Sequence, residues 1–250
     1  MDKILSNIEF FNQLAEYYDL MIPFEKAVER KKNILKNFIT PHHKYAADLG
    51  CGTGTDSIAL AQLGLNVTSF DPSSEMTEKA SANASKEKVI INFSVSNAAN
   101  IPHYFNENFD LVISFGNTFA NIKKEELYKS LKRCYEILKK GGVLLVQILN
   151  YHKILSGKER IVNITENDSY LFIRFYDFKS DHIVFNLLKV VKTELSDYSF
   201  FSTNVYPHLK KDFEKLLSKL NFKSVDFHSD LQLSPYIDSS SKNMIIRCTK

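Results

Sequence analysis

The sequence predicts an α/β fold of the Rossmann-like, doubly wound type, built on a mostly parallel sheet. Between about residues 45 and 149, short apolar runs alternate with segments that carry apolar residues at three- and four-residue spacing, which is the pattern of repeated strand–helix units. A glycine-rich turn follows the first apolar run, as expected where a strand passes into a helix. A length of 250 residues suits one large domain.

The central region predicts five strands separated by helices. The strands are expected near residues 45–49, 66–70, 89–94, 111–115 and 142–148. The helical segments are SIALAQLG, SEMTEKASANA and KEELYKSLKRCYEILKK. In the last of these, Leu127, Leu131, Tyr135 and Leu138 form one apolar stripe, and Gly141-Gly142 is expected to end the helix.

The two ends of the chain follow other patterns. Residues 5–39 predict two helices interrupted near Pro23, which we expect to cover one edge of the sheet. SYLFIRFYDF and HIVFNLLKVVKTEL predict an antiparallel hairpin around Lys179-Ser180-Asp181,. Pro207 is expected at the start of a helix through HLKKDFEKLLSKL, followed by two strands, FKSVDFH and NMIIRCT,. The predicted organisation is a single domain over 1–250, with an N-terminal helical cap (1–40), a core (41–150), an antiparallel hairpin insertion (160–200) and a C-terminal helix with the last strands (201–250).

Composition limits the classes of partner. The 32 basic and 29 acidic residues leave a net charge of +3, too small to indicate a nucleic-acid-binding surface. No stretch of about 18 apolar residues indicates a membrane span or signal peptide. Three widely separated cysteines indicate neither a disulfide framework nor a metal site. We therefore expect a cytoplasmic protein without metal, nucleic-acid or membrane partners, and the sequence leaves its oligomeric state open.

The stretch AADLGCGTGTDSIALAQLGLNVTSFD, residues 46–71, indicates a ligand site. Its glycines leave a bare backbone between strand and helix, which a ligand can approach closely. The dinucleotide fingerprint needs a further glycine where Thr55 stands, and the Gly-Lys-Ser/Thr sequence of a P-loop is absent,. Asp48, at the strand end, would repel a diphosphate and favour a cationic ligand. The three glycines are Gly50, Gly52 and Gly54.

Asp71 ends the next strand, about 20 residues after the first glycine, where a carboxylate can accept hydrogen bonds from a ribose. The pattern predicts S-adenosylmethionine as the cofactor, with its ribose at Asp71, its ammonium and sulfonium near Asp48, and its carboxylate at the helix N-terminus. The alternative is an ordinary glycine-rich turn in which both aspartates act as caps. Cys51 is interpreted as a small residue under the turn, since a nucleophilic thiolate would need a histidine nearby.

These residues resemble the class I S-adenosylmethionine-dependent methyltransferases, and within them the glycine and sarcosine N-methyltransferases. The resemblance runs from about residue 18 to residue 220. The glycine motif is shared across the superfamily, whereas the GNTFA and NYHKIL segments are more selective. The matching segments are CGTGTDSIAL (51–60), VTSFDPSSEM (67–76), FDLVISFGNTFANI (109–122), GGVLLVQILNYHKIL (141–155) and YPHL (206–209).

The resemblance implies a seven-stranded sheet with the last strand antiparallel, and a cap built from the N-terminal helices and the hairpin at 169–194. It places the glycine turn at the methionine end of the cofactor and Met76 beneath the adenine. Asn100 stands where some family members have an aromatic residue, and stacking is expected from Met76 and Phe115 instead. The expected cofactor-binding residues are Tyr18, Asp48, Gly50, Cys51, Gly52, Gly54, Asp71, Pro72, Met76, Asn97, Ala98 and Phe115.

The resemblance also implies a small-molecule methyl acceptor, with N-methylation of an amine or amino acid. Transfer from a sulfonium needs mainly alignment of acceptor and methyl group, and an amine must arrive neutral. Candidate catalytic residues are Asn117 and Asn150 at strand ends, Tyr206 by family likeness, and Arg174 as a carboxylate clamp. The structural alternatives are a turn-forming residue for Asn150, packing on the following proline for Tyr206, and a solvated or aromatic-stacked side chain for Arg174.

Other functions stay open at this point. O-methylation of a small metabolite would need a general base, for which His152 and His208 are the candidates. A cofactor-binding module without catalytic activity is a second alternative. Amino-directed nucleic-acid methyltransferases carry an Asn/Asp-Pro-Pro-aromatic segment where this chain has SFGNTF, which disfavours that class. Tyr18 and Lys26 are further candidates for closing the cofactor pocket.

Overall fold

A computed structural model describes residues 4–250. The helices are α1 (Asn7–Tyr18), α2 (Phe24–Leu35), α3 (Thr55–Gln62), α4 (Ser74–Lys86), α5 (Lys124–Ile137), α6 (Tyr151–Gly157) and α7 (Lys210–Leu217). The strands are β1 (Tyr45–Leu49), β2 (Asn66–Asp71), β3 (Ile91–Val95), β4 (Phe109–Ser114), β5 (Leu138–Leu149), β6 (Ile161–Glu166), β7 (Tyr170–Phe178), β8 (Ile183–Val191), β9 (Glu194–Val205), β10 (Ser224–His228) and β11 (Asn243–Thr249). Over these residues, no helix is both long enough and apolar enough to cross a membrane.

The central sheet has seven strands in the order β10-β11-β5-β4-β1-β2-β3. β11 runs antiparallel to both of its neighbours, while the pairs among β1 to β5 are parallel. The predicted Rossmann-like sheet with its last strand antiparallel is therefore confirmed. β2 and β3 are added on one side of β1, whereas β4 and β5 are added on the other. This reversal creates a crevice at the carboxyl ends of β1 and β4, the usual ligand site of such sheets.

Helices cover both faces of the central sheet. On one face, α2, α3 and α4 contribute Val28, Ile58 and Ala84 to an apolar cluster with the sheet. On the other face, α5 and α7 contribute Leu131 and Phe213 to a larger cluster. Because helices cover both faces, both sets of side chains on the parallel strands are buried, and the strands are nearly continuous apolar runs in the sequence.

The sequence placed both N-terminal helices over one edge of the sheet, whereas α2 lies over one of its faces. α2 packs on α3 over one face, because its apolar stripe joins the cluster there. A capping box between Ser6 and Glu9 begins α1,. Phe10 of α1 lies in a third cluster with Met76 of α4 and Phe172 of β7. α1 therefore lies between the central sheet's helices and a second sheet.

The second sheet contains four antiparallel strands in the order β6-β7-β8-β9, where the sequence predicted only a hairpin. The hairpin is β7–β8, and its turn is at the predicted place, with the Lys179 amide donating to the His182 carbonyl oxygen at 3.0 Å. β6 and β9 escaped prediction because polar residues and serines interrupt their apolar residues, which weakens the alternating signal. The sheet is thus twice as wide as predicted.

The C-terminal helix begins later than predicted. α7 starts at Lys210, whereas Pro207 was expected as its first residue. His208 is buried, and its Nε2 donates to the Ile122 carbonyl oxygen at 2.8 Å. Burial lowers the pKa of His208. This tertiary hydrogen bond keeps the chain extended until Leu209.

Arg133 of α5 fixes the loop that follows β3. Although buried, its guanidinium donates from Nε to the Ile101 carbonyl oxygen at 2.7 Å and from Nη2 to the Pro102 carbonyl oxygen at 2.6 Å. Nη1 pairs with Glu136 at 2.9 Å and also bonds Asn106. Arg133 therefore supplies donors to two backbone carbonyl oxygens of this loop.

We expect Arg133→Met to lower the free energy of unfolding by about 1 to 3 kcal/mol, because the buried Ile101 carbonyl oxygen loses its donor, whereas the Pro102 carbonyl oxygen keeps the Phe105 amide,. Urea denaturation measures the change. The matched control is Lys132→Met, which alters an exposed neighbour and should stay within about 0.5 kcal/mol of wild type. Equal stability of the two variants would contradict this account.

Candidate active site

A cavity of about 530 Å³ lies at the carboxyl ends of β1, β2 and β4, with α1 and α2 over it. This volume suits a ligand of nucleoside size. The wall is made by the glycine turn after β1, the end of β2, the loop after β3 and the loop after β4. The cavity therefore occupies the crevice that the strand order creates.

The glycine turn after β1 forms the floor of the cavity. Gly50 and Gly52 have φ values of 72° and 53°, which other residues rarely adopt. A Cβ atom at Gly50 would lie 2.2 Å from Cγ2 of Thr118, whereas one at Gly52 would meet no atom within 4 Å. Gly50 thus lets two loops pack closely, and Gly52 keeps the space of the cavity free.

Side-chain hydrogen bonds join the loops after β1 and β4. Ser114 Oγ donates to the Leu49 carbonyl oxygen at 2.8 Å. Thr118 Oγ1 lies 2.9 Å from the Phe115 carbonyl oxygen and 3.4 Å from that of Gly50. These contacts hold Phe115 in the wall opposite the turn.

Asp71, at the end of β2, is one of the acidic residues that line the cavity. Its Oδ2 accepts from the Gly52 amide and its Oδ1 from the Ser73 amide, both at 2.9 Å. Burial raises the pKa of this carboxyl, and the two amide bonds oppose that rise. Each oxygen keeps the capacity to accept one more hydrogen bond, so the carboxylate is fixed and still able to receive a diol.

Asp48 does not line the cavity, contrary to prediction. Its side chain is buried beneath the turn, where Oδ2 accepts from Ser57 Oγ at 2.6 Å. Ser69 Oγ in turn donates to Ser57 Oγ at 2.8 Å. Burial, followed by repulsion from Asp56, raises the pKa of Asp48 to about 7. The carboxyl therefore makes no contact with the cavity.

Gly54 is the second predicted cofactor residue that lies outside the wall. It is the N-cap of α3, and a Cβ there would lie 3.1 Å from that of Ala80, so its role is to let α3 and α4 pack closely.

Burial raises the pKa of the Cys51 thiol well above its usual value, which agrees with the interpretation of Cys51 as a small packing residue. The remaining predicted residues all line the cavity: Tyr18, Gly50, Cys51, Gly52, Asp71, Pro72, Met76, Asn97, Ala98 and Phe115.

Comparison with known proteins identifies the family. Residues 46–142 match the family described as the methyltransferase domain. A glycine/sarcosine N-methyltransferase of Aphanothece halophytica is 27% identical over 227 residues, covering 90% of this chain and 83% of its own length. The chain therefore contains a methyltransferase domain, and its similarities support a class I S-adenosylmethionine-dependent methyltransferase. The predicted resemblance is thereby confirmed.

Solved structures share the fold of this methyltransferase. An S-adenosylmethionine-dependent methyltransferase from Clostridium acetobutylicum has a TM-score of 0.76 and 19% identity, covering 96% of this chain and 98% of that one. The CcbJ methyltransferase from Streptomyces caelestis has a TM-score of 0.79 and 17% identity, covering 96% of each chain. These likenesses extend through both sheets and the N-terminal helices.

Asn150 was predicted to contact the methyl acceptor, but its side chain instead stabilises the fold. It is buried as the N-cap of α6. Its amide nitrogen donates to the carbonyl oxygens of Asp238 at 2.8 Å and Ser241 at 2.9 Å. Its Oδ1 accepts from the Tyr236 hydroxyl at 2.8 Å and the Lys153 amide at 3.3 Å. The predicted acceptor contact does not fit, because all of its polar atoms are engaged.

Asn117 and Tyr206 also lie outside the cavity wall. Asn117 joins the ends of β4 and β5, since its Nδ2 donates to the Tyr151 hydroxyl at 2.9 Å and its Oδ1 accepts from the Leu149 amide at 3.0 Å. The Tyr206 amide donates to the Ala120 carbonyl oxygen at 2.7 Å. Their predicted acceptor contacts are not supported, although both hold loops that border the site.

Arg174 and the two histidines have different surroundings. Arg174 is half-buried on β7, outside the cavity wall but within electrostatic range of Tyr18. His152 is exposed on α6, and His208 is engaged with a backbone carbonyl. Neither histidine reaches the cavity wall, so neither is placed to act as a general base there.

Charged residues of α2 line the cavity and were missed by the sequence analysis. Arg30 and Lys31 belong to the wall, whereas the predicted Lys26 does not. Lys31 Nζ pairs with Asp56 Oδ1 at 2.8 Å and lies 4.9 Å from the ring centroid of Phe115. The available signal was the three- and four-residue spacing from Ala27 to Arg30 and Lys31, which places these residues on the side of the helix that lines the cavity,.

The buried Asp48 predicts an unusual dependence of stability on pH. Its folded-state pKa is raised from 3.8 to about 7, so its contribution to stability is fully present below about pH 4 and is lost as pH rises to about 7. Between these limits, the Asp48→Asn variant should gain on wild type by at most about 1.4 kcal/mol per pH unit. Urea denaturation across this range tests it; a constant difference between the two proteins would rule it out.

Proposed function

We propose that this enzyme transfers the methyl group of S-adenosylmethionine to the nitrogen of a small amine or amino acid. The main support for the proposal is the cavity, whose wall contains both the glycine turn after β1 and the fixed carboxylate of Asp71. In the described part of the chain, residues 4–250, no histidine lines that cavity, which suits an acceptor that needs no general base. A relative named glycine/sarcosine N-methyltransferase, aligned over 90% of this chain, supports a small amine.

The cavity fits S-adenosylmethionine, which supplies a methyl group already activated by its sulfonium. Asp71 would hold the ribose, and the backbone from Gly50 to Gly52 would hold the methionine part. Met76, Asn97 and Phe115 would surround the adenine. The buried Asp48 would favour the cationic tail through its negative charge.

The chain's own residues would orient the acceptor and exclude water. Apolar residues of α1 and α2 cover the cavity and lower the local polarity, which favours the neutral form of an amine. Burial raises the pKa of Tyr18, so its hydroxyl stays protonated and able to donate a hydrogen bond. We further propose that residues 1–250 act as one methyltransferase domain, in which 1–40 and 160–200 form the cap.

A turnover assay tests this proposal. Glycine, sarcosine, other small amines and hydroxylated metabolites are supplied with S-adenosylmethionine, and formation of S-adenosylhomocysteine is measured. We expect turnover with one or more amines and none with the alcohols. Turnover with alcohols alone would favour O-methylation, and cofactor binding without any turnover would favour a binding module.

Asp71→Ala should weaken S-adenosylmethionine binding roughly 10- to 150-fold, because hydrogen bonds to a charged group are lost. Isothermal calorimetry measures the affinity. Asp110→Ala is the matched control, since that carboxylate also accepts two backbone amides, from Lys44 and Tyr45 at 2.9 Å each. Asp110 lies at the start of β4, at the end of the sheet opposite the cavity. An equal loss of affinity in both variants would remove Asp71 from the ribose role.

A further inference from the structure

The second sheet carries apolar side chains on both of its faces. The face towards α1, the inner face, contributes Phe172 and Leu187 to the third apolar cluster. The side chains that alternate with these point to the opposite side of the sheet, which we call the outer face. None of its apolar residues belongs to the three apolar clusters found in residues 4–250. These residues are Ile161, Ile164, Leu171, Ile173, Phe175, Val184, Leu188, Val190, Tyr198 and Phe200.

A continuous apolar row crosses the middle of the outer face. Its four members are direct partners on neighbouring strands: Ile164, Ile173, Leu188 and Phe200. Ile164 is 56% exposed, and two further residues of the face, Ile161 and Tyr198, are 62% and 63% exposed. An antiparallel sheet with one face on the core usually presents polar side chains to solvent on the other face. The outer face does not follow this pattern, which indicates that another surface covers it.

Polar side chains in the middle of the outer face are bonded to one another. Asn186 Nδ2 donates to Asp177 Oδ2 at 2.9 Å, and Ser202 Oγ donates to Asn186 Oδ1 at 2.6 Å. The rings of Phe175 and Phe200 stack across β8, with centroids 6.0 Å apart. Asn186 and Ser202 are already buried in the single chain. Removing water from this part of the face therefore leaves these hydrogen bonds intact, which keeps the cost of desolvation low.

The charged side chains of the outer face are neutralised within the chain. Among the residues paired in the strand register, these are Glu166 and Asp177. Glu166 pairs with Lys192 at 3.0 Å, and Asp177 pairs with Arg160. Two copies of this face would therefore not repel each other, whereas attraction to an anionic membrane would require unpaired basic residues.

The outer face is large enough for a specific interface. Its four strands contain six, nine, nine and twelve residues. With about 3.3 Å per residue and about 4.8 Å between strands, the face covers about 570 Å². Two such faces in contact would bury about 1,100 Å² in total, which exceeds the roughly 1,000 Å² expected of a specific protein–protein interface.

We propose that the outer face binds the outer face of a second copy of this chain, so that the two four-stranded sheets stack in a twofold-symmetric dimer. In such a dimer the same surface of each copy forms the interface, and the apolar row lies at its centre with the ion pairs at its rim. This arrangement of an apolar centre and a polar rim is typical of protein–protein interfaces. The dimer does not depend on the identity of the methyl acceptor.

Sedimentation velocity over a range of protein concentrations tests the dimer. Wild type should sediment with twice the monomer mass at high concentration. Ile164→Lys should raise the dissociation constant of the dimer at least about 100-fold, because it places an unpaired charge from each copy in an apolar interface. The matched control is Ile90→Lys, which alters a 93% exposed isoleucine next to β3 of the central sheet and should dimerise as wild type does.

Three results would overturn the dimer. The first is wild type that stays monomeric at every concentration. The second is equal dimerisation of wild type and Ile164→Lys, which would place the interface on another surface. The third is a monomer that floats with phosphatidylcholine vesicles and loses this binding in Ile164→Lys, which would assign the outer face to a membrane.

A tryptophan reporter locates the interface, since the chain contains no tryptophan. Tyr198→Trp places an indole on the outer face, and Tyr104→Trp places one at a 76% exposed position between β3 and β4. When the dimer forms from dilute monomer, the fluorescence of Tyr198→Trp should shift to shorter wavelength, while that of Tyr104→Trp stays unchanged. A dimer that forms without this shift would use another surface and would contradict the proposal. This measurement decides the question even where Ile164→Lys does not fold.

Discussion

The close approach of two loops, after β1 and after β4, is the constraint on which the rest of the site depends. Ser114 bonds the Leu49 carbonyl oxygen at 2.8 Å, and Thr118 lies against Gly50, where a Cβ atom would be 2.2 Å away. Because these strands are neighbours in the sheet, any side chain at position 50 would push the loops apart. The shape of the cavity and the packing of the sheet edge are therefore set together.

Charge around the glycine turn determines which ligands the crevice can accept. Asp48 lies beneath the turn and Asp71 beside it, so two carboxyl groups flank backbone that would otherwise attract phosphate. Asp56, a third carboxylate of the cavity wall, is paired with Lys31 at 2.8 Å. The combination favours a ligand with a ribose and a cationic tail, and it explains how a glycine-rich turn can serve a cofactor without phosphates.

α1 joins the two sheets and brings their chemistry together. Phe10 packs with Met76 and Phe172 in one apolar cluster, so the same helix covers the cofactor cavity and supports the inner face of the second sheet. Tyr18, at the end of this helix, faces the cavity. The apolar contacts of α1 thus hold the second sheet next to the helices that border the site.

Local patterns in the sequence determined the parallel core, the glycine turn and Asp71, because strand alternation, helical periodicity and turn chemistry depend on residues close together in the chain. Partners distant in sequence decided the rest. Ser57 donates a hydrogen bond to the Asp48 carboxyl beneath the turn. Residues 236–241 fold back and form hydrogen bonds with the Asn150 side chain. β6 and β9 are defined by their pairing more than by their composition. Only the tertiary structure could assign these roles, since a side chain's hydrogen bonds depend on which segments meet it in space.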